Sequence, residues 1–192
     1  ENPMELFQNW FITADDSKMV DESNAMTISS IGLDGFPKSR VVLLKKYTSE
    51  GFIFYTNYNS EKGKAIANNN NICLSFFWPA LEKQIIIKGN AEILEENLSD
   101  SYFESRPDGS KLGAWASNQS KVVNSREELE QSLKTFEKQF EGIEIERPKH
   151  WGGYLIKPIS IEFWQGRPNR MHDRIRYTLK QDFSWKIERL AP

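Results

Sequence analysis

Four arginines and one of the chain's two histidines fall within fifteen residues, FWQGRPNRMHDRIRY (163–177), although the formal net charge of the chain is −2. Read as a strand, this stretch places Arg170, His172 and Arg174 on one face and Met171, Asp173 and Ile175 on the other. Three potential cations side by side repel one another unless an anion or solvent covers them. The pattern fits an anion site, and it also fits a solvated edge strand. A second concentration lies in YFESRPDGS (102–110). Tyr102 and Arg106 are at i and i+4, hence on one helical face, with Ser110 just past the proline. A phenol, a guanidinium and a hydroxyl that converge suit a phosphate monoester. RVVLLKK adds Arg40 and Lys45, which strict alternation sends to opposite faces. A shared ligand there needs a bulge, backbone contacts or a ligand that wraps an edge. YTNYNSEKGKA offers the Thr56 and Ser60 hydroxyls and Lys62 at a helix N-terminus, where free amides attract anions. Each element alone fits an ordinary structural role; together they make two phosphate-sized clusters in an acidic chain.

The elements that must carry these residues are largely β. Leu6, Phe7, Trp10 and Phe11 recur at helical spacing after Pro3, so the chain opens with a short amphipathic helix. AMTISSIGLDGFPKSRVVLLKKYTSEGFIFYTN reads as three β-rich runs separated by the turn chemistry of LDGFP and TSEG. SEKGKAIANN is a short helix capped by Ser60 and ended by the asparagine run 68–71. ICLSFFW and QIIIKGNAEIL resume the strands through Pro79. LSDSYFESR is a helix that stops before Pro107, because a residue preceding proline avoids helical geometry. SREELEQSLKTFEKQFE carries a capping box in Ser125 and Glu128, and its stripe of Leu129, Leu133, Phe136 and Phe140 reads as core packing. YLIKPISIEFW, RMHDRIRYTL and SWKIERL return to β. About six or seven strands in neighbouring hairpins, with helices inserted late, predict a small antiparallel barrel or sandwich with flanking helices.

Composition narrows the function classes. With 39% apolar and 12% aromatic residues over 192 positions, the chain has the material for one globular domain. Its near-neutral balance argues against a nucleic-acid partner, and no apolar run is long enough to span a bilayer. The N-terminus shows no signal-peptide pattern, and the single cysteine, Cys73, excludes an intrachain disulfide. Both point to a cytoplasmic protein. His150 and His172 have no metal-ligand spacing, so no metal site is expected. No serine–histidine or cysteine–histidine pairing suggests a nucleophile.

The order of motifs resembles the pyridoxamine 5′-phosphate oxidase (pyridoxal 5′-phosphate synthase) family. The matching stretches are RVVLLK, YTN with SEK, EKQI, YFESRPDGSKLGAWASNQS, WGGY, EFWQG, NRMHDR and the terminal ERLAP. The resemblance implies a mainly β, antiparallel FMN-binding split barrel with flanking helices. It implies a single domain over 1–192, whose part from about residue 151 completes the barrel, the dimer interface and the substrate site. It also implies a homodimer with FMN at the interface. Carried over by position, FMN contacts come from Arg40, Val41, Val42, Leu43, Leu44, Lys45, Tyr55, Thr56, Lys62, Gln84, Gln119, Ser120, Trp164 and Arg174. The substrate phosphate meets Lys45, Tyr102, Arg106 and Ser110, while Arg170 and His172 act catalytically by orienting the pyridine ring. The implied reaction oxidises pyridoxine or pyridoxamine 5′-phosphate to pyridoxal 5′-phosphate, with dioxygen reduced to hydrogen peroxide. Rival readings are a related flavin oxidase of the phenazine type and a split-barrel protein that binds flavin or haem without turnover. Two departures stand out. Glu61 occupies the place of a family arginine beside Lys62, and most of the basic N-terminal arm of family members is missing. Helical spacing predicts that Glu61 turns away from the flavin and pairs with Lys64.

Overall fold

The computed structural model describes residues 2–192. Helix α1 (Pro3–Asp15) begins as its sequence demands: the Asn2 side chain accepts the Met4 N–H at 3.0 Å, and Pro3 takes the first turn, where a missing donor costs nothing. Its Phe7 is wholly buried and meets Phe52 and Phe76 edge-on at 4.8 and 5.5 Å. The amphipathic helix therefore buries its apolar face in the core of the sheet.

Strands β1 (Ala25–Ile31) and β2 (Pro37–Leu43) form a hairpin, and β3 (Lys46–Thr48) and β4 (Gly51–Asn57) form another. The three β-rich runs expected here are thus four strands, because the chain leaves the ladder at Leu44 and Lys45. Leu44 turns into the core, and its N–H reaches back to the Asn24 carbonyl at 2.8 Å. Helix α2 (Glu61–Asn68) follows, with the Ser60 hydroxyl accepting the Gly63 N–H. Next come β5 (Asn71–Trp78) and β6 (Lys83–Ile93), then helices α3 (Glu96–Glu104), α4 (Asp108–Ala116) and α5 (Arg126–Gln139). The C-terminal part supplies β7 (Trp151–Gln165), β8 (Asp173–Leu179) and β9 (Trp185–Arg189). All nine strands join one curled antiparallel sheet, more than the six or seven expected.

The long strand β7 explains the split in this barrel. One edge pairs with β6 from Tyr154 to Gln165, with a register shift at Lys88/Gly89. Its other edge pairs first with β4, through Trp151–Ile156, and then with β8, through Ser160–Gln165. Between them lies Pro158, which has no N–H to give a ladder. Two arms of the one sheet diverge from this shared strand.

Two expectations about helices need correction. The α5 stripe does not reach the barrel core: Leu129 is 39% exposed. Phe136 and Phe140 instead pack on Trp115 of α4 at 5.8 and 5.4 Å. The period of a helix reports that it has an apolar face, not which partner covers it. The capping box is also only half formed, since Ser125 accepts from the Glu128 N–H but Glu128 reaches Asn124. Helix α4 itself, immediately after Pro107, was not foreseen; it begins with the Ser110 and Lys111 amides bonded to the Pro107 carbonyl.

Candidate functional site

A cavity of about 600 Å³ opens where the β1–β2 hairpin, β4, the start of α2 and the α3–α4 corner meet. That size is typical of small-molecule sites. Its lining includes five lysines and arginines, Lys38, Arg40, Lys45, Lys62 and Arg106, against one carboxylate, Glu61. The stretches 40–45, 56–62 and 102–110 meet in one cavity, which the concentration at 163–177 does not line. Thirteen of the expected site residues line it: Arg40, Val41, Val42, Leu43, Lys45, Tyr55, Thr56, Lys62, Tyr102, Arg106, Ser110, Gln119 and Ser120. Arg40 and Lys45 share it because the chain breaks from the strand at Leu44. Leu44, buried in the core, does not line the cavity.

At one end of the cavity, Lys62 donates to Thr56 Oγ1 at 2.5 Å and to Gln119 Oε1 at 3.3 Å. Burial, reinforced by the Arg40 charge, pushes the Lys62 ammonium down to about 8. A desolvated cation whose partners among the described residues are neutral oxygens is a strong attractor for an anion. Beside it, Ser120, which also lines the cavity, adopts a left-handed backbone with φ 70°.

Glu61 does not pair with Lys64. It accepts from Arg40 Nη2 at 3.1 Å and pairs with Lys38 Nζ at 3.1 Å, and Lys38 also meets Asp34 at 2.9 Å. The spacing rule for helices failed because the β2 cations lie across from the first turn of α2, where the helix dipole also favours a carboxylate. Glu61 therefore faces the cavity mouth. Lys38 was not among the expected site residues; no helical or strand period links it to residue 61.

At the other end, rings organise the site. Tyr55 of β4 stacks on Tyr102 of α3 at 3.9 Å and 14°, and on Trp151 of β7 at 5.5 Å and 10°. Burial, with the neighbouring Tyr102, pushes the Tyr55 phenol up to about 12, so it stays a neutral donor. The WGG motif makes room for this: a side chain on Gly153 would strike the Tyr55 ring at 2.9 Å, and one on Gly152 the Tyr58 hydroxyl at 2.2 Å. Arg106 lies over the Trp151 ring at 4.5 Å, and its Nη1 is buried without a hydrogen-bond partner. Trp151 lines the cavity and had been noted only as part of a motif.

Five expected residues lie elsewhere: Gln84, Trp164, Arg170, His172 and Arg174. Gln84, Trp164 and Arg174 are direct neighbours across β6, β7 and β8, which puts them in one row on the outer face of the sheet. Arg174 is held there by Glu162 at 2.7 Å and by the Ala191 carbonyl at 2.9 Å. The expected strand face of Arg170, His172 and Arg174 is not formed. Pro168 starts a 3-10 turn, and Asn169 and Arg170 have φ of 58° and 61°, so extended backbone begins only at Asp173. His172 nevertheless returns to the row, its ring 4.7 Å from that of Trp164. The Arg167 N–H donates to His172 Nδ1 at 3.1 Å, which leaves the proton of a neutral ring on Nε2.

Charge pairing sorts the arginines of this segment. Arg167 meets Asp173, Arg174 meets Glu162 and Arg176 meets Glu188. Among the described residues Arg170 has no carboxylate partner, and neither do Lys45 and Arg106 in the cavity. No cluster of potential metal ligands exists among the described residues, and no helix among them is long and apolar enough to cross a membrane.

A family model described as pyridoxamine 5′-phosphate oxidase matches residues 12–140, and one for the pyridoxine 5′-phosphate oxidase C-terminal dimerisation region matches 151–192. A pyridoxine/pyridoxamine 5′-phosphate oxidase of Flavobacterium psychrophilum is 67% identical over 192 residues, covering all of this chain and 90% of the relative. The enzyme of the same name from Christiangramia forsetii is 55% identical, covering all of this chain and 89% of the relative. Among solved structures, PhzG from Burkholderia lata 383, in complex with tetrahydrophenazine-1-carboxylic acid, superposes with a TM-score of 0.92 at 29% identity. That match covers all of this chain and 93% of the other. An FMN-binding protein of Nostoc punctiforme shares the fold, with a TM-score of 0.77 at 14% identity over 99% of this chain and 98% of the other.

Proposed function

The chain belongs to the pyridoxamine 5′-phosphate oxidase family, and we propose that it uses FMN and dioxygen to convert pyridoxine and pyridoxamine 5′-phosphates to pyridoxal 5′-phosphate. The alcohol and dioxygen give the aldehyde and hydrogen peroxide; the amine also consumes water and releases ammonia. The observation that carries this reading is a cavity lined by five cations against one carboxylate, among them Arg106, whose Nη1 no protein group satisfies. Leaving such a donor unsatisfied is costly unless a ligand completes it.

The residues fit FMN. Arg40, Lys62, Thr56, Gln119 and Ser120 offer cations, hydroxyl and amide groups suited to a monoester phosphate, and the backbone of 41–44 lines the adjoining wall. Bound FMN supplies a two-electron acceptor for the hydride that leaves C4′ of the substrate. Lys45, Tyr102, Arg106 and Ser110 hold the substrate phosphate; of these, Lys45 and Arg106 have no carboxylate to displace. The outer-face row supplies the rest. Gln84, Trp164 and Arg174, with Arg170 and His172 beside them, complete the cavity of a second copy, so the site belongs to a homodimer with FMN at its interface. The match of residues 151–192 to a dimerisation region supports this. Arg170 offers an uncommitted guanidinium to the pyridine ring, and His172 offers its Nε2–H. Their task is orientation, bringing C4′ to the acceptor.

The test is aerobic incubation of the purified protein with pyridoxine 5′-phosphate. Pyridoxal 5′-phosphate and peroxide should form in equal amounts, and denaturation should release FMN rather than FAD. The likeness to PhzG gives a phenazine-type oxidase as the second reading. At 29% identity, against 67% for the oxidase relative, it is the weaker one. Turnover of a reduced phenazine carboxylate without turnover of either vitamer phosphate would reverse that ranking.

A further inference from the structure

We propose that Trp151 is a positioning residue for the substrate phosphate: its indole face holds the Arg106 guanidinium so that the in-plane N–H groups stay free for the anion. The proposal rests on the reading of Arg106 as a phosphate ligand. Arg106 sits at the corner between α3 and α4, just before Pro107, where its N–H reaches the Phe103 carbonyl at 3.1 Å. A long side chain at a corner needs something to aim it. Among the described residues no carboxylate does so; the guanidinium carbon lies 4.5 Å from the Trp151 ring centre and 5.6 Å from that of Phe103.

The choice of a ring over a carboxylate matters chemically. A carboxylate binds a guanidinium edge-on, occupying the N–H groups and cancelling the charge. A ring face attracts the same cation through its quadrupole, from above its plane, and leaves the donor edge open. Arg147, close by, shows the opposite case. It donates to Asp100 at 2.6 Å and to the Trp151 carbonyl at 2.7 Å, and is thereby committed to structure. Arg106 keeps a buried donor with no partner.

Trp151 is well placed for this role because it is itself fixed. It is 7% exposed, pairs with Asn57 at the start of β7, and packs edge-on against Phe103 at 5.2 Å. Its face runs parallel to Tyr55, which in turn backs Tyr102. Of the phosphate-binding side chains, Arg106 is the one whose charged group lies over this ring face, 4.5 Å from its centre.

A double-mutant cycle separates positioning from bulk packing. FMN-loaded wild type, Trp151→Leu, Trp151→Phe, Arg106→Ala and the Leu/Ala double variant are titrated with pyridoxal 5′-phosphate and with pyridoxal, and flavin content is measured for each. Trp151→Leu should weaken pyridoxal 5′-phosphate by about three- to thirty-fold, the range of a desolvated cation–π contact. It should change binding by less than about two-fold in the Arg106→Ala background and leave pyridoxal unaffected. Trp151→Phe, which keeps an aromatic face, should retain most of the affinity. An equal penalty with and without Arg106, or an equal loss for pyridoxal, overturns the proposal. Wild-type protein that binds pyridoxal 5′-phosphate no better than pyridoxal overturns the functional reading instead. The positioning claim is then read on Arg106 itself, whose modification by phenylglyoxal should accelerate several-fold in Trp151→Leu; an unchanged rate sinks it.

Discussion

Raising the pH from 7 to 9 should weaken FMN binding by roughly ten-fold, through Lys62 alone. In the free protein the Lys62 ammonium is held down to about 8 by burial, with Arg40 adding like-charge repulsion. Its partners, Thr56 and Gln119, supply oxygens but no countercharge. A phosphate beside it supplies two negative charges and should return the group towards the ordinary lysine value of about 10.4. The sign follows from the depressed value. Below 8 the lysine is already charged and binding is at full strength. Above 8 a proton must be taken up on binding, so affinity falls by up to about ten-fold per pH unit until the bound-state value is reached. The phosphate contributes nothing to this slope, because its second proton leaves near pH 6. The assay is fluorescence titration of apo-protein with FMN at several pH values between 7 and 9 and constant ionic strength. Lys62→Arg should keep the affinity and flatten the profile, since a guanidinium does not titrate in this range. Lys62→Met should bind weakly at every pH. If Lys62→Met declines as steeply as wild type, another group carries the effect and the placement of the phosphate at Lys62 is wrong.

Glu61→Gln should release Arg40 and Lys38 and tighten FMN by no more than about five-fold, because all three side chains are substantially exposed; the gain should vanish at high salt. Equilibrium titration at two salt concentrations checks this, and weaker binding by the variant would assign Glu61 a needed role in aiming Arg40. Arg170→Ala and His172→Ala should lower kcat/KM for pyridoxine 5′-phosphate by roughly ten- to a hundred-fold with flavin content unchanged, the size of one charge-assisted contact. Arg174→Ala should mainly cost flavin, and equal flavin loss in all three variants would refute that division. Arg106→Ala should raise KM for pyridoxine 5′-phosphate by a similar factor while leaving kcat nearly unchanged, which steady-state kinetics would show.

Local structure was the most legible part of this protein. Pro3 and Ser60 announce their helices because each acts within the first turn that follows it. The turns at LDGFP and TSEG are likewise written in the residues that make them, and the strand alternation of ICLSFFW follows from burying one face. Partnership between distant elements was less legible. The α5 stripe has the period of a core helix, yet it covers Trp115 of α4, since periodicity carries no address. Glu61 was matched to Lys64 by helical spacing, whereas its partners come from β2, more than twenty residues earlier.

By itself, the sequence determined the chemistry available: the types of cation, hydroxyl and ring, the mainly β class, and a motif order specific to one enzyme family. Only the tertiary structure decided how those groups divide. The curl of the sheet brings Arg40, Lys62, Tyr102 and Arg106 to one cavity. The same curl leaves Gln84, Trp164 and Arg174 in a row on the outer face. Strand alternation predicted a shared face for Arg170, His172 and Arg174, and the left-handed residues after Pro168 removed it. The physical reason is the range of the forces involved. Capping, turns and alternation act over a few residues and are written locally. The meeting of a β2 arginine with an α2 glutamate, or of a corner arginine with a tryptophan on β7, depends on the register and twist of the whole sheet, which no short stretch encodes.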